Sequence, residues 1–144
     1  RLLDKQKQLE KEINSLTDRL AHYKSQSLLD QTRQIAGVNL LTARADDLDN
    51  QGLRNLADQL KDNLQSGIVV LAAAGDGRVI FVTEITDDLV EQGFHAGDMI
   101  ARIASITGGG GGGRPDMAQA GGSQPEKVDR ALAETENIIR ELSN

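Results

Sequence analysis

The sequence predicts an α/β (α+β) fold: a small globular domain with a short β-sheet flanked by helices, preceded by a long coiled-coil-like helix. Three observations predict it. Residues 1–34 carry a heptad pattern and no glycine. Three later apolar runs have the length of strands. Between and after those runs the apolar residues recur at helical spacing. A chain of 144 residues has room for one compact domain plus one extended element.

The first element is a helix over residues 2–30. Leu2, Leu9, Leu16 and Tyr23 recur every seven positions, with Ile13 and Leu20 between them. This makes a seam of Leu9, Ile13, Leu16, Leu20 and Tyr23 over about three heptads, near the minimum for a coiled coil. Two readings stay open. The helix lies on its own domain, or it projects and pairs with another helix. So narrow a seam offers little apolar face to a globule, which favours projection. Lys5, Lys7, Lys11, Arg19 and Lys24 make this segment basic: seven Lys/Arg against five Asp/Glu, +2 over residues 1–34. The remaining residues carry nine against seventeen, or −8. Charge and glycine content change together, so the expected division is a helical segment at 1–34 and a globular body at 35–144.

The body opens with a strand at residues 35–43. Asp49 is placed to cap a helix over 50–66, where Leu53, Leu56, Leu60 and Leu64 repeat at helical spacing and Gly67 suits a left-handed C-terminal cap. Residues 68–74 and 79–85 read as a hairpin around Gly75-Asp76-Gly77-Arg78. Thr86 starts a short helix ending near Gly93, and a second helix runs over 97–107. A last helix spans 125–142, with Ser123 and Glu126 spaced as a capping box and Pro125 in the first turn.

Composition excludes several functions. The chain has no Cys, so disulfides and thiolate metal sites are out. His22 and His95 are its only histidines and lie far apart, which leaves no zinc set. Phe81, Phe94 and Tyr23 are the only aromatics, too few for a base-stacking platform. A net charge of −6 excludes a generally basic nucleic-acid binder while leaving room for a local patch. No apolar run approaches the roughly 18 residues of a membrane span. There is no signal-peptide pattern, and the chain opens at Arg1 in mid-helix pattern. The expectation is a piece of a longer, cytoplasmic protein without membrane contact. No catalytic constellation stands out. The pairs Asp46-Asp47 and Asp87-Asp88 sit where loops end and helices begin, and fit caps.

Residues 108–122 read GGGGGGRPDMAQAGG and hold eight of the fifteen glycines. A plain linker is one reading. The run passes directly into Arg-Pro-Asp-Met-Ala-Gln without serine padding, which favours a binding loop. Polyglycine exposes backbone N–H groups and has no Cβ to hold a partner away, so it suits a phosphate or sugar backbone. Arg114 is the natural cation for an anion there. Its alternative is a surface ion pair with Asp116. Asp116 is also placed to cap a short turn at 117–120, and Gln119 to tie the loop to itself or to read a hydroxyl or base edge. Met117 reads as filler and His95 as a turn residue.

At this loop the chain resembles the carboxy-terminal (C-Ala) domains of alanyl-tRNA synthetases, of the DHH-associated family that also accompanies DHH phosphoesterases. Gly113–Gly122 is the specific part, and a bacterial-type enzyme is indicated. The resemblance implies a module joined to upstream domains of the same synthetase. It would bind the tRNA elbow and help the aminoacylation and editing centres act on one tRNA. It implies dimerisation through the helical part. With the catalytic and editing sites upstream, it implies no catalytic residue, cofactor or metal in this chain. The family's glycine motif maps onto Gly108, Gly109, Gly110, Gly111, Gly112, Gly113, Arg114, Pro115, Asp116, Gln119, Gly121 and Gly122. Rival readings are a phosphate-binding accessory domain of a DHH phosphoesterase and a pure dimerisation module.

Overall fold

The computed structural model describes the backbone of residues 2–143, and the side chains within it except those of 2–3, 17–18, 20–27 and 143. Leu20, Tyr23, Lys24 and His22 of the expected helix therefore lie outside the described side chains.

The chain starts with α1 (Leu2–Leu29). A hairpin follows, β1 (Arg33–Ile35) and β2 (Val38–Arg44), turning at Ala36 and Gly37 with φ of 52° and 83°. α2 (Asn50–Leu64) carries the chain to β3 (Ile68–Gly75), parallel to β2. β4 (Arg78–Ile85) returns antiparallel through the Asp76-Gly77 turn, where Gly77 has φ 70°. α3 (Asp87–Glu91) and α4 (Ala96–Ile106) lead to a third hairpin, β5 (Gly110–Gly113) and β6 (Met117–Gly122). A 3-10 turn, Pro125–Lys127, precedes α5 (Val128–Ser143). The six strands form one sheet in the order β1-β2-β3-β4-β6-β5.

Successive strand residues face opposite sides of a sheet. Leu40, Val70, Ala72, Phe81 and Ile85 pack with Met99, Ile100 and Ile103 of α4 and Val128, Ile138 and Ile139 of α5. Leu41, Val69, Leu71 and Val82 face the other way and pack with Leu53, Leu56, Ala57 and Leu60 of α2. The leucine spacing read in 50–66 is this buried stripe. Asp49 caps α2 as expected, its Oδ1 accepting from Gly52 N at 2.8 Å. Leu28 and Leu29, at the end of α1, pack at the margin of the α2 core. Every described side chain from residue 4 to 16 is exposed, including Leu9, Ile13 and Leu16 at 57%, 61% and 58%. This stretch projects from the body. Among the described residues no helix is long and apolar enough to cross a membrane.

Three local expectations are corrected. Gly67 is not the left-handed cap of α2: the positive φ falls two residues earlier, at Gln65, whose φ of 60° with ψ of −49° makes a tight turn rather than a left-handed helical cap. Gly67 is small for another reason. A Cβ there would come within 2.9 Å of the Asn39 carbonyl, where β2 and β3 meet. The capping box at Ser123 does not form, because the 3-10 turn intervenes and Gln124 precedes it without a side-chain cap bond. Residues 108–122 are a β-hairpin rather than a loop, and 117–120 is strand rather than a turn capped by Asp116. Strand propensity argues against glycine, but β6 is held by β4 on one side and pairs with β5 on the other.

Candidate functional site

The glycine run forms the sheet edge, and its residues divide by parity. Register places Gly111 opposite Ala120 and Gly113 opposite Ala118, on the α4 side. A Cβ at Gly111 would stand 2.5 Å from Ala120 Cα, and one at Gly113 2.8 Å from Met117 O. A Cβ at Gly109 would collide with the Gly121 carbonyl at 1.8 Å. Gly97 of α4 meets the same strand, since its Cβ would lie 2.7 Å from Gly113 O. These glycines let β5 press against β6 and α4. Gly110 and Gly112 face the opposite side, where a Cβ would meet nothing within 4 Å.

That opposite side is the α2 side of the sheet, but α2 lies on β3 and β4 while α4 reaches across to β5 and β6. Opposite Gly110 and Gly112 stand Gly121 and Gln119, and next to those Ile80 and Val82. Gly110, Gly112 and Gly121 are exposed and Gln119 is half-buried. They make an open floor almost without side chains. It continues into a cleft of about 1030 Å³ bounded by Leu48 and Asn50 before and at the start of α2, Asp76 and Arg78 at the hairpin tip, and Gly108 and Gly109.

The turn joining β5 to β6 holds the charged residue. Arg114 N donates to Met117 O at 2.9 Å and closes the turn. Arg114 Nε stands 3.3 Å from Asp116 Oδ1, with side chains 67% and 37% exposed, so the surface ion pair is present. Such a pair in water is worth about 0–1 kcal/mol and yields readily to a stronger anion. The carbonyls of Arg114 and Pro115 accept from Gly97 N at 3.2 Å and Ala96 N at 2.9 Å. His95, read as a turn residue, caps α4, with Nδ1 accepting from Asp98 N at 3.1 Å. The N-terminus of α4 therefore spends its donors inside the protein and offers none to a phosphate.

The expected site residues divide accordingly. Gly110, Gly112, Gln119, Gly121 and Arg114 share the β5–β6 surface. Gly109, Gly111 and Gly113 are packing positions. Gly122 also packs, because a Cβ would meet Thr107 Oγ1 at 2.0 Å, and Gly108 has φ 74° at the exit of α4. A valine at Gly111 therefore disturbs the fold, contrary to a reading of all six glycines as one open loop. Lys5, Lys7, Lys11 and Arg19 are exposed on the projecting helix, outside this surface. Arg78 and Arg54 escape the sequence reading. Arg78 borders the cleft. Arg54 stands one helical turn before Asp58 on the same stripe of α2, exposed. Among the described residues neither makes an ion pair. Only the hairpin register could have pointed to Arg78. Asp46 also borders the cleft, but its carboxylate is committed to Ala74 N at 2.9 Å and Arg44 Nη2 at 2.8 Å, and its pKa is held below the usual range first by that backbone donor. Among the described residues no cluster of His, Cys, Asp or Glu could hold a metal.

The DHHA1 domain family model matches residues 37–141. The chain is 46% identical over 137 residues to the alanine–tRNA ligase of Geobacillus kaustophilus, covering 95% of this chain and 15% of that protein. It is 43% identical over 131 residues to that of Natranaerobius thermophilus, covering 91% and 15%. The chain thus spans about a seventh of the length of these relatives. Among solved structures it superposes on the C-Ala domain of Aquifex aeolicus alanyl-tRNA synthetase with TM-score 0.71 and 27% identity, covering 78% of this chain and 98% of that one. RecJ from Thermus thermophilus shares the fold at TM-score 0.67 and 13% identity, over 90% and 19%. The chain belongs to the DHHA1 domain family, within which it resembles the C-Ala domains of bacterial alanyl-tRNA synthetases.

Proposed function

We propose that this chain is the tRNA-contacting and assembly domain of a cytoplasmic alanine–tRNA ligase, with the β5–β6 floor and Arg114 meeting the tRNA elbow. The observation that carries this reading is the parity of the glycines. Gly110 and Gly112 are required by no neighbour within the fold, yet they keep the floor bare. A surface without side chains admits a sugar–phosphate backbone to close range, and Arg114 supplies an exposed cation at its edge. Recognition by shape and backbone suits folded RNA and needs no aromatics. The lysines of α1 would add unspecific attraction. Aminoacylation and editing belong to the upstream domains, which this module would help act on one tRNA, and the chain itself has no catalytic role in this reading.

The test is binding of the chain to tRNA with an intact and a disrupted elbow, at stated salt. Arg114→Ala should weaken binding by about 1–3 kcal/mol, the scale of a lost charge-assisted hydrogen bond. Gly112→Val should weaken it too while leaving unfolding unchanged. Affinity should fall as salt rises, through counterion release. Unaltered affinity in both variants, with loss on Lys-to-Glu changes in α1, would place the RNA site on the helix instead.

A second reading has its own observation. The described part of the heptad seam, Leu9, Ile13 and Leu16, is exposed on the projecting helix, which suits pairing of two copies. Ile13→Asp should then lower the mass measured by light scattering from dimer to monomer. An unchanged mass removes this helix as the interface.

A further inference from the structure

Glu84 on β4 is a buried acid that the proposed RNA surface does not use. It is 4% exposed, in a position where the same face of the strand otherwise carries Val82 and Ile80. Its flanking partners across the sheet are Val69 on β3 and Met117 on β6, neither titratable. The charged groups that act on it most come from α2: Asp58, exposed at the helix surface and within hydrogen-bonding reach of it, then Lys61 and Asp62. Its Oε2 has no hydrogen-bond partner among the described residues. Two carboxyls can share a hydrogen bond only if one holds a proton, and the buried one is where the charge is least tolerated. The pair also marks a boundary. Val82 and Leu71 lie under α2, whereas Met117 and Gln119, on the neighbouring strand, lie outside its cover.

We propose that Glu84 and Asp58 are a proton-dependent latch, in which one shared proton clamps the flank of α2 to β4 and its loss frees that flank beside the open β5–β6 floor. With the proton in place the group of Glu84, Asp58, Lys61 and Asp62 carries one net negative charge. When the proton leaves to solvent it carries two, one of them buried without a donor on Oε2. Burial first, and Asp58 second, push the Glu84 carboxyl up to about 8. The folded-state value is thus raised, so the stability from the protonated form is complete below the ordinary carboxyl range and is lost as pH rises through the folded value. The latch does not depend on what the floor binds.

Carboxyl carbon NMR of the whole chain tests it directly. The Glu84 Cδ resonance should titrate near 8. A midpoint near the ordinary value of about 4.3 overturns the proposal. Amide exchange provides the second reading. Between about pH 6 and about pH 10, after correction for intrinsic rates, amides of α2 should lose about tenfold more protection than those of β3. Glu84→Gln keeps the shape and a donor, and should abolish that difference. Equal pH dependence in the parent and in Glu84→Gln overturns the latch. Asp58→Asn is the variant for the case in which Glu84→Gln folds poorly. It removes the second carboxylate and should lower the Glu84 midpoint, and an unmoved midpoint overturns the pairing.

Discussion

The two halves of the sheet are assembled by opposite means. Under α2, strands β2 to β4 are held by side chains: Leu53, Leu56, Leu60, Leu71 and Val82 are wholly buried between helix and sheet. At the other edge, β5 has no side chains at all and is held by backbone approach to β6 and α4. Packing by side chains gives stability but covers the surface. Packing by backbone leaves the α2 side of β5–β6 bare, and glycine carries an entropic cost of roughly 0.5–1 kcal/mol per residue relative to alanine. The comparison teaches that this domain concentrates its stability in one half and its accessibility in the other.

The widest test of that division is a cavity on the covered side. Leu56 is fully buried, and Leu56→Ala should cost about 2–5 kcal/mol in urea unfolding. Affinity for tRNA at temperatures where the variant stays folded should be unchanged. A cost below about 1 kcal/mol would mean that α2 is not the stabilising layer.

On the bare side the contrast lies between neighbouring glycines. Gly111→Val should cost about 2–4 kcal/mol, since its side chain would be driven into Ala120 and Gln119 O. Gly112→Val, one residue along, should change stability by less than about 0.5 kcal/mol, because that side is open. Equal thermal shifts for the two would refute the parity of β5.

The same contrast explains what the sequence could disclose. The covered half was legible because leucine spacing, an Asp49 cap and a two-residue turn each act through side-chain chemistry that the letters show. β1 was not, since Arg33-Gln34-Ile35 has no alternation and Ala36-Gly37 is a weak turn signal. β5 was not, because six identical glycines carry no period. Only the register with Met117–Gly122 separates the packing glycines from the open ones. Arg114 was singled out from its place in the motif, and the structure puts it in the exposed β5–β6 turn. Glu84 was hidden inside the run VIFVTEI, where nothing in the sequence shows that Asp58 lies above it.

The two halves should also answer pH in opposite directions. Glu84, beneath α2, loses its contribution as pH rises toward about 8. Asp46, at the cleft, has a carboxyl held below the ordinary range by the Ala74 N–H and then by Arg44. A lowered acid contributes stability above its unfolded value and loses it as pH falls through the folded value. Asp46 is largely solvent-exposed, so screening reduces the effect to about 0.5 kcal/mol. Asp46→Asn keeps the side-chain oxygen that accepts from Ala74 but removes the charge that Arg44 meets. The variant should approach the parent in urea midpoint only as pH falls below the lowered Asp46 value, where both are uncharged, and fall slightly below the parent at about pH 6. Arg44 also reaches Asp129 on α5 at 3.2 Å, so it keeps one carboxylate partner, which is why the expected loss is small. A deficit that does not change with pH would assign Asp46 a purely structural role, with no share for its charge.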